Sequence, residues 1–336
     1  MKKIVFLLVF ISGFLYALDP ALINHWKETM KYGIASQRAA VIKSIEDSKA
    51  PEVYNITEEA MVNDINPDVR GSAVFSLITL KIKDEKLWLG ALNTETNTDV
   101  LRKIVFAISE LGIKSAGKRL LSLLTNNIDD THQIDLSSGL LRAIGGLSYR
   151  EALPEVLGIL TNIGYDTELR SSAAIAIGDI GKESEITILS NILENTGENK
   201  EIRMFSAFSI GKTGSLKAIG ILTPVIENEK EDLNIRLYSI SGLSYVKDKS
   251  VFNKLVEFTE SENPRIRLEA IRSIARSPDV RDAEELLRFK SSYDPDPDIQ
   301  KEAKNTLKSM GAGADAVSDR AKKSSSSAPA SGTPKK

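Results

Sequence analysis

The strongest constraint on this chain is a motif that returns about every 33 residues. Arginines stand at 38, 70, 102, 170, 203, 236 and 267. The steps between them are 32, 32, 68, 33, 33 and 31, and the long step is two periods with the arginine missing near Leu136. A ninth start, Asp296-Pro297-Asp298-Ile299-Gln300, places Gln300 one period after Arg267. The neighbours repeat as well. Asn66-Pro67-Asp68-Val69-Arg70-Gly71-Ser72-Ala73 matches Asn263-Pro264-Arg265-Ile266-Arg267-Leu268-Glu269-Ala270. Such self-similarity at a fixed period is the signature of a repeat architecture.

Each part of the motif has a physical reason. Asn or Asp before Pro is a helix N-cap, because its side-chain oxygen accepts an orphan backbone N–H. Proline at the first helical position loses nothing, since its missing donor has no partner there. An acid in the first turn complements the helix dipole. Apolar residues follow at helical spacing, as in Val69, Ala73, Val74 and Leu77. Glycines 112, 181 and 214 then suit the left-handed position that ends a helix. A second apolar helix follows, for example through Ile186, Leu189, Ile192 and Leu193, and a polar loop closes the unit. One such hairpin cannot bury its apolar face alone, so neighbours must stack. The expectation is all-α, an α-solenoid of about nine helical hairpins, with no strands.

The Pro-x-[Val/Ile]-Arg-x-x-Ala helix start and the segment Ala176-Ile177-Gly178-Asp179-Ile180-Gly181 resemble HEAT repeats, especially the short PBS-lyase HEAT-like class. The resemblance covers about residues 34–310. It implies a right-handed superhelix whose second helices line the concave face. It also implies that Arg38, Arg70, Arg102, Arg170, Arg203, Arg236 and Arg267 are structural, each paired with an acid between units.

The two ends read differently. Residues 1–17 have a secretory pattern: Lys2 and Lys3, an apolar run from Ile4 to Tyr16, and Ala17 at the cleavage position. This predicts export to the bacterial periplasm or medium, with no transmembrane segment left after cleavage. Residues 18–310 are the repeat body, with 18–33, including His25 and Trp26, as an N-terminal capping helix. Residues 311–336 are rich in Gly, Ala, Ser and Pro and predict a disordered basic tail. The chain's formal charge is −2. Signal and tail hold two and three net positive charges, so the body carries −7. That balance implies no nucleic-acid partner.

The chemistry-bearing residues are few. The chain has no cysteine and two histidines, which excludes disulfides, thiolate metal sites and multi-histidine centres. The loop holding Asp129, Asp130, His132 and Asp135 is the one place where a carboxylate–histidine site can be drawn, and we assign no metal to it. Asp294-Pro295-Asp296-Pro297-Asp298 resembles the start of a calcium loop, but Ile299 and Asn305 stand where Gly and Glu are needed. Gly211-Lys212-Thr213 resembles the end of a phosphate loop, but Ser206 replaces its first glycine. We assign no catalytic, cofactor or metal residues, and no enzyme activity. Gly145-Gly146, in the unit lacking its arginine, marks a candidate bend. Trp88, Phe75, Phe106, Phe205 and Phe208 fall at helical spacing and read as packing residues. Tyr149 and Tyr245 both end Gly-Leu-Ser-Tyr segments and are candidate partner contacts on one rim.

These features predict a non-catalytic scaffold of the cell envelope that holds a protein or peptide on its concave face. The alternative is a structural subunit of a large envelope machine for secretion or motility. A lyase-type enzyme, or a subunit of one, ranks third.

Overall fold

The computed structural model describes residues 18–276 and 280–325, with side chains described as far as 311. The expected signal, 1–17, and the end of the tail, 326–336, lie outside the described residues. Among the described residues there are helices and no strands. They pack as two compact units that divide between Lys118 and Arg119.

In the first unit a single helix, α1 (Pro20–Tyr32), precedes the hairpin α2 (Ala35–Ser48) and α3 (Tyr54–Asn63). Next come α4 (Pro67–Thr79), α5 (Glu85–Thr94) and α6 (Thr98–Leu111). Trp26 of α1 buries itself against Val41, Ile45, Val53 and Ile56. Asp19 caps α1 by accepting the Ala21 amide at 2.9 Å. Trp88 is fully buried in α5, and its indole donates to the Ile82 carbonyl at 2.9 Å.

The division falls just inside α7 (Gly117–Asn127). The second unit holds α8 (Ile134–Gly146), α9 (Leu153–Thr161), α10 (Thr167–Ile180), α11 (Ile186–Glu194) and α12 (Lys200–Lys212). It continues with α13 (Lys217–Glu227), α14 (Leu233–Leu243), α15 (Lys249–Phe258), α16 (Pro264–Ile274), α17 (Val280–Tyr293) and α18 (Pro297–Ser325). Each even-numbered helix from α4 onward, α8 and its missing arginine aside, starts with the motif, and α18 carries its ninth copy. The caps form as the residue types require. Asn66, Asp166, Asn199, Asp232, Asn263 and Asp296 each accept the amide two residues on. Asp294 accepts the Asp296 amide at 3.0 Å, so two of the acids of the calcium-like segment are consumed in turning the chain.

Stacking in the second unit is unequal between its layers. The first helices α8, α10, α12 and α14 pack directly on one another, whereas second helices make little contact with second helices. Small residues permit this. A Cβ on Gly145 would lie 3.0 Å from the Cα of Ala176, and one on Gly178 would lie 3.0 Å from the Cα of Ser209. A Cβ on Gly211 would lie 2.1 Å from the Gly242 carbonyl. In each pair the second residue is 31 after the first. One step further the pair is Ser244 and Ala275, with no glycine, and α14 and α16 pack less closely.

Two expectations need correction. Gly181 is not left-handed: its φ is −71°, and its value is room, since a Cβ there would lie 2.5 Å from the Ile177 carbonyl oxygen. Gly112 and Gly214 do take positive φ, 69° and 74°. Gly145, at the candidate bend, is a contact surface for α10. The low-complexity tail expected from 311 continues as helix α18 to Ser325. Its Ala, Lys and Arg residues favour helix.

Two substitutions test the close approach. Gly211→Ala is expected to destabilise the protein by about 3 kcal/mol or more, because the new methyl meets backbone that cannot yield. Gly220→Ala, where a Cβ meets nothing within 4 Å, is expected to stabilise by about 0.5–1 kcal/mol through helix propensity. Urea unfolding followed by circular dichroism separates the two. Ser206 is fully buried with an unpartnered hydroxyl, at a register position that Ala73, Ala173 and Ala270 fill elsewhere. Ser206→Ala is therefore expected to raise stability by about 1 kcal/mol.

Candidate functional site

The repeated arginines are consumed internally. Arg170 donates through Nε to the Leu160 carbonyl at 2.9 Å and through both terminal nitrogens to Glu198, at 3.1 and 2.5 Å. Arg203 does the same one period on, with Leu193 and Glu231. The carboxylate in turn accepts the next N-cap amide: Asn199 on Glu198 and Asp232 on Glu231, both at 2.8 Å. One guanidinium thus joins its own helix to the end of the preceding helix and to the loop before the next first helix.

The other copies vary this bracket. Arg38 pairs with Asp64 and Arg70 with Glu95 through two nitrogens each, and their third nitrogen takes a carbonyl just before their own helix, that of Gly33 or Asp64. Arg267 approaches buried Asp294 at 3.5 Å and donates to the Ser261 carbonyl. Gln300 uses its amide on the Asp294 carbonyl at 2.7 Å, the same relation without the charge. Arg236 keeps the backbone bond, to Ile226, and no carboxylate pairs with it among the described residues. Arg102 lies nearest the surface and pairs within its helix with Asp99 at 2.6 Å. Where the arginine is missing, Leu136 is buried, and the tie runs backwards: the Tyr165 hydroxyl donates to Asp129 at 3.2 Å. Burial first, and then that carboxylate, push the Tyr165 phenol up. Among the described residues, no group of three or more His, Asp or Glu side chains could hold a metal ion.

The surface with binding character lies elsewhere on the same helices. Four rows of side chains rise from α10, α12, α14 and α16. Two residues beyond the repeat arginine stand Ser172, Phe205, Tyr238 and Glu269, and five beyond stand Ile175, Phe208, Ser241 and Arg272. Phe205 meets Tyr238 edge-on at 5.5 Å, Phe208 meets Tyr238 at 6.3 Å, and Phe208 meets Tyr245 at 5.5 Å. Phe205, Phe208 and Tyr238, with Ile175, Leu237, Arg265 and Glu269, line a groove of about 440 Å³ over α10, α12, α14 and α16. Lys212 lies 5.8 Å over the Phe208 ring and pairs with Asp179 at 2.6 Å. Arg276 lies 5.1 Å over Tyr245 and donates to the Ser244 hydroxyl. Burial pushes the Glu269 carboxyl up, against the pull of Arg272, a hydrogen bond with Ser241, and Arg276.

The two candidate tyrosines separate. Tyr245 packs edge-on against Phe208 of this groove; Tyr149 is not among the residues that line it. Their tetrapeptides are 96 residues apart, three short of three periods of 33, so Tyr245 falls in register with Gly146. The turns differ accordingly: Ser148 is left-handed at φ 54°, while Ser244 is helical. Nor are the phenylalanines core residues. Phe75 and Phe106 are 49% and 50% exposed, and Phe205 and Phe208 are half-buried in the groove. Helical spacing identifies a face, and here that face is the outward one of the first helices. Leu237 and Tyr238 carry no motif, Arg265 and Glu269 lie inside a repeat start without standing out from it, and only their register relative to the arginines points to the groove.

No family model matches the chain, and no curated protein matches it. Solved structures do. The complex of CpcE and CpcF of phycocyanin lyase from Nostoc sp. PCC7120 aligns over 83% of this chain and 100% of its own, at 16% identity and TM-score 0.42. Human deoxyhypusine hydroxylase in complex with glycerol aligns over 76% of this chain and 96% of its own, at 12% identity and TM-score 0.32. Among the described residues no helix is long and apolar enough to cross a membrane.

The bracket sets an acid sensitivity. The Arg170 hydrogen bond holds the Glu198 carboxyl below its ordinary value, although burial opposes it. For Asp64 and Glu95 burial is the larger single influence and acts upward, but the arginine and amide bonds together outweigh it and hold both low. A carboxyl depressed in the folded state contributes stability above its unfolded range and loses it as pH falls through the folded value. Urea titrations from neutral pH to about 3 are expected to show that loss, and Glu198→Gln is expected to flatten it. Arg170→Ala, which strands a buried carboxylate, is expected to cost about 3–5 kcal/mol at neutral pH.

Proposed function

We propose that this chain is a non-catalytic, HEAT-like scaffold of the bacterial cell envelope that holds a segment of a partner protein in the groove over α10–α16. The observation that carries this reading is the row of half-buried rings on consecutive first helices. Apolar and aromatic side chains left at the surface of a repeat stack give a long platform that an extended chain can cross. Aromatic residues are also the side chains that most often anchor protein interfaces. The polar groups repeated along the chain are engaged in holding units together, and the groove is open on one side, as a peptide platform requires. The pattern in residues 1–17 supplies the compartment.

Export is tested by fractionating the producing cell and sequencing the N-terminus of the mature chain. A start at Leu18 in the periplasmic or secreted fraction is expected, and retention of Met1 in the cytoplasm contradicts it. The groove is tested by immobilising the mature chain and capturing envelope proteins. One specific protein is expected, with retention lowered about tenfold by Phe208→Ala at unchanged helicity. Equal retention by wild type and variant would remove the groove from the function.

A further inference from the structure

Resting on the groove reading, the question is what chemistry the bound segment carries. Charge is not evenly spread over the four helices. At the α10 end, Asp179 is neutralised by Lys212 at 2.6 Å, and Glu168 lies 3.9 Å from Arg142. The middle of the groove is aromatic and aliphatic: Phe205, Phe208, Leu237 and Tyr238. The α16 end is cationic. Arg265, Arg272 and Arg276 are all exposed there. Arg272 pairs with Glu302 at 2.8 Å. Arg265 and Arg276 are in no ion pair among the described residues: Arg265 meets the Asn234 side-chain oxygen at 3.1 Å, and Arg276 the Ser244 hydroxyl at 3.2 Å. Glu269 is the acid among them, half-buried and bonded to Ser241.

This arrangement is unusual for the molecule it sits in. The body, residues 18–310, is acidic, with a formal charge of −7. An acidic partner is repelled over most of that surface and attracted where guanidiniums outnumber carboxylates. Arg265 and Arg276 stand at opposite ends of α16, and Arg265 lines the groove, so a carboxylate crossing there is met by charge and planar hydrogen-bond donors together.

We infer that the groove takes an extended peptide segment with apolar or aromatic side chains at its centre and acidic side chains at the end that crosses α16. The apolar residues lie on Phe205, Phe208 and Tyr238, and the acids pair with Arg265 in the field of the other exposed arginines of that end. Four helices at about 9 Å spacing present about 27 Å, which an extended segment of about eight residues spans. The surface thus sets the direction of the segment as well as its composition.

The test uses the mature chain and fluorescent peptides of about ten residues, read by anisotropy. One carries Leu and Phe followed by Asp and Glu; one has Lys in place of the acids; one has Ser in place of the apolar residues. The acidic apolar peptide is expected to bind about tenfold more tightly than either other peptide and to weaken as salt is raised. Arg265→Glu with Arg276→Glu, both at exposed positions, is expected to weaken it about tenfold and to improve the lysine peptide. The lysine peptide binding as well as the acidic one, or charge reversal leaving the acidic affinity unchanged, overturns the inference and leaves the groove as a binding site. Failure of all three peptides also overturns it; the broader reading falls only if Phe208→Ala leaves capture of the envelope partner unchanged.

Discussion

A guanidinium is a flat plate with five donors, and this chain uses that plate as a bracket. In the second unit it grips a carbonyl at the end of one helix, holds a carboxylate in a later loop, and through that carboxylate reaches the amide that starts the next first helix. Arg38, Arg70, Arg170, Arg203 and Arg267 each hold a carboxylate from the following first-helix loop, the first four of them bidentately. The bond set is local in space but joins residues 25 to 28 apart, which is what a stack of hairpins needs and what hydrophobic contact alone does not specify. Hydrophobic burial is non-directional. The bracket adds register, fixing how far each hairpin is advanced over the last.

This explains why so much of the fold is legible in the sequence. A fork needs arginine rather than lysine, and an N-cap needs Asn or Asp, so both positions repeat as identities and not merely as types. Trp88 is legible for a related reason, since one register position always faces the core. The outward positions carry no such demand. Helical spacing marks Phe75, Phe106, Phe205 and Phe208 as one face but does not say whether that face is covered, because a stripe on the open face of a stack has the same period as a stripe in its core. Glu269 and Arg265 were invisible for the same reason. Tyr149 and Tyr245 mislead in the opposite sense: their identical tetrapeptides suggested equivalence, and the period, applied strictly, separates them. The split between Lys118 and Arg119 had no local marker either, because each repeat is built to meet a neighbour.

The second unit places its two kinds of specificity on opposite sides of the same helices. Facing inward and along the stack are the brackets and the small residues, where change disturbs register. Facing outward are the positions two and five residues past each arginine, where Ser, Phe, Tyr, Glu, Ile and Arg all occur. Side chains there differ from unit to unit, because no bracket and no close backbone approach fixes their identity. A recognition surface can therefore be rewritten row by row while the stack beneath keeps its geometry.

The glycine ladder extends this to shape. Gly145, Gly178 and Gly211 let successive first helices close on one another, and Ser244 ends the series. Seen as a one-dimensional crystal, the stack has a lattice spacing set by one small residue per cell, and the step from α14 to α16 is a lattice defect. A change of spacing needs no inserted loop and no separate domain; two extra heavy atoms in one cell replace the glycine that lets the regular cells close.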